Sequence, residues 1–307
     1  MTQEAVISKT VGALYLVLVS TRPKQWLKNG FLFAALLFSK NMFHPAKVAT
    51  SVFAFAVFCL ASGAVYLLND LVDMEQDRSH PKKQARPIAS GALDPQVARL
   101  ALAVVLPAAL FAGYFINRQF FLIASAYLII QIAYCTFLKE VIILDVFAIA
   151  SGFFLRVAAG SVAIDVPMSK WLLICTTFLS LFLALAKRRH ELLLLGDGAA
   201  HHRKVLDGYN VLFLDQMVSI ATAGAIVSYA LYTLSEETIA KFGTTQLWVT
   251  VPIVLYGIFR YLYRVYKQGD GGQPEDIVWK DKPLLMCVAV YVVAIVLIIY
   301  MRPGALR

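Results

Sequence analysis

The chain has 307 residues, 60% of them hydrophobic and only 15% charged, with a mean hydropathy of +0.70; that leaves too little polar surface to enclose a water-soluble core, so lipid must be the solvent. Its net charge of +9 would suit nucleic acid, but the basic residues sort by membrane side, which accounts for the excess without such a partner. Cys59, Cys135, Cys175 and Cys287 each stand alone in an apolar stretch; with neither C-x-x-C nor metal-ligand spacing they read as core filler.

In chain order, residues 1–22 come first. Their apolar run from Val11 to Val19 is followed by no small-residue cleavage site, so it predicts an amphipathic helix at the membrane surface. A bilayer core of ~30 Å needs ~20 apolar residues per helix, and nine such stretches follow, at roughly 26–43, 48–70, 98–116, 120–138, 142–163, 169–186, 213–234, 246–266 and 284–301. They lack period-two alternation, so helices are expected and a barrel is not. The expected fold is an all-α membrane protein, a bundle of about nine transmembrane helices forming one polytopic domain over residues 1–307. Nothing in the pattern specifies an oligomeric state, and a homo-oligomer is left open.

With the N-terminus inside, twenty Lys and Arg fall inside, seven outside, and Arg156 lies within a span. This places the N-terminus in the cytoplasm and the C-terminus outside. Outside connections are short, as at Asn117-Arg118-Gln119, whereas the inside segments 71–97, 187–212 and 267–283 are longer and carry most of the charge. Chemistry is expected there.

The second span ends in Tyr66-Leu-Leu-Asn69-Asp70-Leu-Val-Asp73-Met-Glu-Gln-Asp77. At ~100° per residue, with Asn69 as zero, Asp73 falls near ~40°, Tyr66 near ~60°, Asp77 near ~80° and Asp70 near ~100°. Carboxylates gathered in one stripe beside lipid repel one another, so a cation is expected beside them. Mg²⁺ fits, since it takes oxygen ligands and completes its shell with water and substrate phosphate; Asn69, Asp70, Asp73 and Asp77 are its candidate ligands, the three aspartates being the catalytic candidates. A merely solvated helix end is the bland alternative. Against it, the stripe continues an apolar span and is followed by Lys82, Lys83 and Arg86 in a loop shaped by Pro81, Pro87 and Gly91.

Further cations lie where they are costly: Lys139 at the end of the fourth span and Arg156 inside the fifth. An intramembrane Arg is a functional candidate by default. Its bland explanation is a pair with Asp145, eleven residues earlier and roughly on the same face. Lys24, Lys28 and Asn29 enter the first span beside Trp26; interfacial anchoring explains them as well, and Lys28 is the best ligand among them. His44, His80, His190, His201 and His202 form no catalytic pair in sequence.

The motif N-D-x-x-D-x-x-x-D, followed by His80-Pro81-x-Lys83-x-x-Arg86-Pro87-Ile-Ala-Ser-Gly91, resembles the first signature of the UbiA-type intramembrane prenyltransferase superfamily. The resemblance implies a helical bundle of about nine spans with a polar cavity open to the cytoplasm. Members that use a prenyl diphosphate carry a second motif, D-x-x-x-D, after the sixth span. This chain departs from that pattern and has Lys187-Arg188-Arg189-His190-Glu191, then Arg203-Lys204-Val-Leu-Asp207-Gly-Tyr209. Cations in place of carboxylates suit an anion held directly by Lys and Arg.

Together, R-P-K-Q-W-x-K-N, the acidic motif, Lys139 with Asp145, L-R-x-x-A-G, Lys187-Arg188-x-x-Glu191, Arg203 and Tyr209 resemble the decaprenyl-phosphate phosphoribosyltransferase branch, nearly end to end. That branch implies transfer of 5-phosphoribose from phosphoribosyl diphosphate (PRPP) to a polyprenyl phosphate lipid, with release of diphosphate, in a bacterial cytoplasmic membrane and toward a cell-envelope product. On this reading Lys83 and Arg86 clamp the diphosphate, Tyr66 touches ribose or phosphate, and Lys28, Lys139, Arg156, Lys187, Arg188, Arg203 and Tyr209 serve the remaining phosphates, with Glu191 orienting the cations. Two alternatives stand beside it: a prenyltransferase joining a polyprenyl diphosphate to an aromatic acceptor, and a transporter of an anionic metabolite.

Overall fold

A computed structural model describes residues 3–81, 83–195, 204–269, 272 and 274–301. These are helical throughout, with no strand among them. Four of the long helices begin at side-chain caps. Asp94, Asn117, Asn210 and Asp281 each accept a backbone N–H of the following first turn, at 2.7, 2.7, 2.8 and 2.9 Å, and so satisfy groups that lipid cannot.

Helix α1 (Gln3–Ser20) leads into a ten-residue 3-10 segment, Pro23–Leu32, and the short α2 (Phe33–Leu37). There follow α3 (Pro45–Val72), α4 (Met74–Ser79), α5 (Pro95–Ile116), α6 (Arg118–Thr136), a 3-10 turn at Leu138–Glu140, α7 (Leu144–Ala163) and α8 (Lys170–Leu195). A 3-10 turn at Lys204–Gly208 precedes α9 (Val211–Leu234) and α10 (Glu236–Phe242); another, Gln246–Thr250, opens α11 (Val251–Lys267), and α12 (Pro274–Lys280) and α13 (Lys282–Tyr300) complete the chain.

Seven of these helices are long and apolar enough to cross a membrane, or eight if the pair around the 101° bend between Glu236–Phe242 and Gln246–Lys267 is one span. Seven of the nine expected stretches are therefore present as regular helices, and two differ. The first, 26–43, is divided among 3-10 helix up to Leu32, the short α2 and turns. Its backbone lies directly on α7, where a Cβ on Gly160 would stand 2.1 Å from the Leu32 carbonyl oxygen, and its buried Asn29 faces the bundle. Runs of 3-10 beyond three or four residues are uncommon and tend to mark function or strain; apolar content alone does not separate them from α-helix. The second, 246–266, starts as 3-10 after the left-handed Gly243 (φ +67). The 187–212 segment also differs from the expected loop, because α8 carries Lys187, Arg188 and Glu191 as helical residues.

The most enclosed helices are α7 and α3, with 67% and 61% of their apolar windows buried, against 11% for α5. Buried small residues on α7, from Ala148 and Gly152 to Ala158, Ala159 and Gly160, let neighbouring backbones approach closely. Helix α3, which carries Tyr66, Asn69 and Asp70, and α7, which carries Arg156, thus form the centre of the bundle.

Candidate active site

Where α3 ends, the backbone breaks only briefly. Asp73 N–H still donates to the Asn69 carbonyl at 2.9 Å and Asp77 N–H to the Asp73 carbonyl at 2.8 Å, so α4 nearly continues the stripe. Asp70 and Asp77 share one guanidinium: Arg86 Nη1 lies 3.2 Å from Asp70 Oδ1 and pairs with Asp77. Lys83 Nζ stands 3.8 Å from Asp77 Oδ1. The Asn69 amide donates to Asp73 Oδ2 at 3.1 Å, and Lys139 pairs with Asp73 from across the site. The stripe, Lys83, Arg86 and Lys139 are thus brought together.

A fourth cation had no place among the candidate ligands. Arg22 pairs with Asp70, and its guanidinium lies over the Tyr66 ring, 4.8 Å from the centroid. Arg22 is left-handed, φ 55° and ψ 67°, because it turns the chain from α1 into the 3-10 segment ahead of Pro23. The sequence signal was its position heading R-P-K-Q-W, next to a proline that restricts it.

Arg86 is aimed by its loop. Ile88 and Leu93, 0% and 1% exposed, pack with Leu16 and Val17 of α1 and Leu71 and Met74 beside the stripe, while Gly91 (φ +77) supplies the left-handed turn. Four cations thus meet three carboxylates. Asp70 and Asp77 are nearly enclosed, but Arg22, Lys83, Arg86 and Lys139 retain exposure, so they can turn toward an incoming anion.

A second ionic group lies between α6, α7, α8 and the 3-10 turn before α9, and is closed. Arg188 and Asp145, both 0% exposed, meet at 2.5 Å; Arg188 also donates to Glu191 at 2.7 Å and to the Tyr134 hydroxyl at 3.0 Å. The Tyr209 hydroxyl donates to Asp145 Oδ1 at 2.7 Å and accepts the Ile143 N–H at 2.7 Å. Burial, and then the bond to Asp145, raise the Tyr209 hydroxyl well above the ordinary tyrosine range, so it stays a donor at neutral pH. Lys187 is more open, 3.9 Å from Glu191, and comes close enough to Lys28 for their charges to repel.

Arg156 does not pair with Asp145, which Arg188 and Tyr209 occupy. It is buried among neutral acceptors: Asn29 Oδ1 at 2.8 Å, the Gly152 carbonyl at 2.9 Å and the Tyr127 hydroxyl at 2.9 Å. Asn29 in turn donates to Ser62 at 3.1 Å. Asn29, Tyr127, Tyr134 and Asp145 are thus site-supporting residues beyond the ligand set, the two tyrosines legible only as a seven-residue spacing on one face of α6. Arg203 lies outside the described residues, as does Lys82.

No three His, Cys, Asp or Glu side chains form a ready-made metal cluster among the described residues. The donor set nonetheless fits Mg²⁺. That ion is usually held by one or two carboxylates with phosphate and water, and here hard oxygens stand close enough for one guanidinium to bridge two of them.

Comparison with known proteins gives the family. The model of the UbiA prenyltransferase family matches residues 30–275. The decaprenyl-phosphate phosphoribosyltransferase of Mycolicibacterium smegmatis is 35% identical over 274 residues, 86% of each chain, and that of Corynebacterium glutamicum is 35% identical over 92% of this chain and 86% of its own. Among solved structures, a UbiA homologue from Archaeoglobus fulgidus bound to GPP and Mg²⁺ superposes with a TM-score of 0.69 at 19% identity, over 92% of this chain and 99% of that one, a likeness of fold. The protein is a multi-pass membrane transferase, and it belongs to the UbiA prenyltransferase family.

Proposed function

We propose that the protein transfers 5-phosphoribose from PRPP to a polyprenyl phosphate, releasing diphosphate and inverting ribose C1. One observation carries the reading: a single carboxylate stripe is ringed by exchangeable cations, and the sixth long apolar stretch ends in Lys187 and Arg188, where prenyl-diphosphate users are expected to keep more aspartates. PRPP brings a diphosphate and a 5-phosphate, and the lipid brings a third phosphate. A prenyl diphosphate with an aromatic acceptor needs fewer cations.

Asn69, Asp70, Asp73 and Asp77 would hold Mg²⁺, which when bound offsets charge on the diphosphate. Lys83, Arg86, Lys139 and Arg22 release the carboxylates and turn to the phosphate oxygens. As the C1–O bond breaks, positive charge grows on the ribose ring and negative charge on the departing group, and these cations stabilise the latter. Tyr66, beneath Arg22, borders the ribose. Lys28 and Lys187, backed by Arg188 and Glu191, receive a second phosphate, while Arg156 orders the floor of the site through Asn29. An acceptor phosphate oxygen is already anionic near neutral pH, so attack on C1 needs no general base. The site faces the cytoplasm of a bacterial cell in this reading, and the acceptor's tail leaves sideways into lipid.

The test is purified protein incubated with labelled PRPP, Mg²⁺ and polyprenyl phosphates of several lengths, followed by extraction of labelled lipid. Transfer to lipid is expected. No transfer to any lipid, with turnover of a polyprenyl diphosphate instead, overturns the reading in favour of prenyl transfer.

A further inference from the structure

The connection from α6 to α7 contains a turn that its own side chains do not secure. Ile143 takes φ 70° and ψ −47°, a genuine outlier for a β-branched residue. The Leu144 N–H reaches the Ile142 carbonyl at 2.8 Å, which closes the rare, strained form of the γ-turn. Such strain persists only where the surroundings over-determine it. Packing of the turn is a poor source, since Val141, Ile142, Ile143 and Leu144 are 39–49% exposed.

The constraint comes from the opposite side of the backbone. Tyr209 accepts the Ile143 N–H and donates to Asp145, both at 2.7 Å, and Asp145 is anchored in turn on Arg188. Gly208 permits the approach, because a Cβ there would lie 2.1 Å from Ile142 Cδ1. Upstream the chain is short and hydrogen-bonded: Glu140 N–H to Phe137, Val141 N–H to Leu138 and Asp145 N–H to Val141, at 3.1, 3.2 and 3.0 Å. Lys139, which pairs with Asp73, sits on that stretch. The Tyr209 hydroxyl holds the N–H side of the turn, while Val146 and Phe147 N–H groups hold its Ile143 carbonyl at 3.2 and 3.1 Å, and Lys139 lies four residues upstream.

We infer that Tyr209 is a positioning residue: its hydroxyl latches the strained Ile143 turn and so holds Lys139 at the carboxylate stripe, where the ammonium meets the leaving diphosphate of the donor. The final clause rests on the function proposed above; the latch does not. It gives Tyr209 a task behind the site, without contact to substrate.

Tyr209→Phe removes only the hydroxyl and keeps the ring, which stacks on Phe213 at 6.1 Å. Turnover of PRPP is expected to fall roughly ten- to a hundredfold, the scale of a misplaced catalytic group, with the KM for lipid acceptor little changed. In a Lys139→Gln background the same substitution should add almost nothing. Adding Ile143→Gly should recover most of the loss, because glycine accepts positive φ without a latch. Independent effects of Tyr209→Phe and Lys139→Gln, or no rescue by glycine, overturn the inference. Hydrogen exchange across residues 138–146 should quicken in Tyr209→Phe, and unchanged exchange overturns the latch whatever the substrate. Faster exchange in a protein that does not turn over PRPP supports the latch and removes only the proposed function. If the single variant does not fold, the double with Ile143→Gly is expected to; failure of both overturns the inference.

Discussion

The two ionic groups use the same chemistry at different depths. At the end of α3, Asp70, Asp73 and Asp77 meet four cations that keep 17–41% of their side-chain surface. Around Asp145, Arg188 has none exposed. An ion pair open to solvent exchanges partners at little cost, whereas breaking an enclosed pair strands a charge in low dielectric. The first group is therefore suited to receive a ligand, and the second to hold helices α6, α7 and α8 together. Sequence distance gives no hint of such depth, since Arg188 is fully enclosed while the adjacent Lys187 keeps 37% of its side-chain surface.

The largest effect that would break the comparison is expected at the open group. Asp73→Asn should lower the rate of phosphoribosyl transfer by about 100-fold or more, the scale seen when a charge-stabilising group is removed, with little change in unfolding midpoint. Retention of full Mg²⁺-dependent turnover would remove Asp73 from the metal site. At the closed group the loss should appear in stability. Asp145→Ala leaves Arg188 with Glu191 as its one carboxylate partner and Tyr209 without its acceptor, and is expected to destabilise the protein by ~1–3 kcal/mol, read as a lower thermal unfolding midpoint in detergent. Asp145→Leu with Arg188→Met should lose less than Asp145→Ala alone; a larger loss would mean that the pair is not an isolated strut.

A smaller effect sharpens the contrast. Arg22→Gln removes an exchangeable partner, so turnover should fall about tenfold, equivalent to a charge-assisted hydrogen bond of ~1.5 kcal/mol. Its unfolding midpoint should barely move. A stability loss matching that of Asp145→Ala would place Arg22 with the struts.

The smallest effect concerns Asp281, the cap of α13. Its hydrogen bond from Arg260 holds the carboxyl below the ordinary range, so the stabilisation it gives is present above the usual carboxylate pKa of ~3.9 and is lost as pH falls through the lowered value. Asp281→Asn should slightly lower the neutral plateau of unfolding midpoint against pH and flatten the acid limb, the two curves meeting at low pH. An unaltered acid limb would separate that pair from the pH response.

Much of the site was legible because helix periodicity is local. Asn69, Asp70, Asp73 and Asp77 follow from angles along one helix, and Lys83 and Arg86 from a basic loop set by Pro81, Pro87 and Gly91. Pairing between distant segments was not legible. Arg156 and Asp145 share a helix face, yet Asp145 bonds to Arg188 and Tyr209 while Arg156 turns to Asn29 and Tyr127; which partner wins depends on how helices cross. The close packing of the 3-10 segment Pro23–Leu32 on Gly160 was hidden for the same reason, since Gly160 lies on another helix.

The sequence by itself determined the membrane setting, seven of the long helices and the carboxylate stripe, because hydropathy and the 3.6-residue period act within single segments. Only the tertiary structure decided which cations are free to meet a ligand and which are locked in place. It also set the strained Ile143 turn behind Lys139, because burial, partner choice and strain are properties of segments packed together, and no one segment carries them alone.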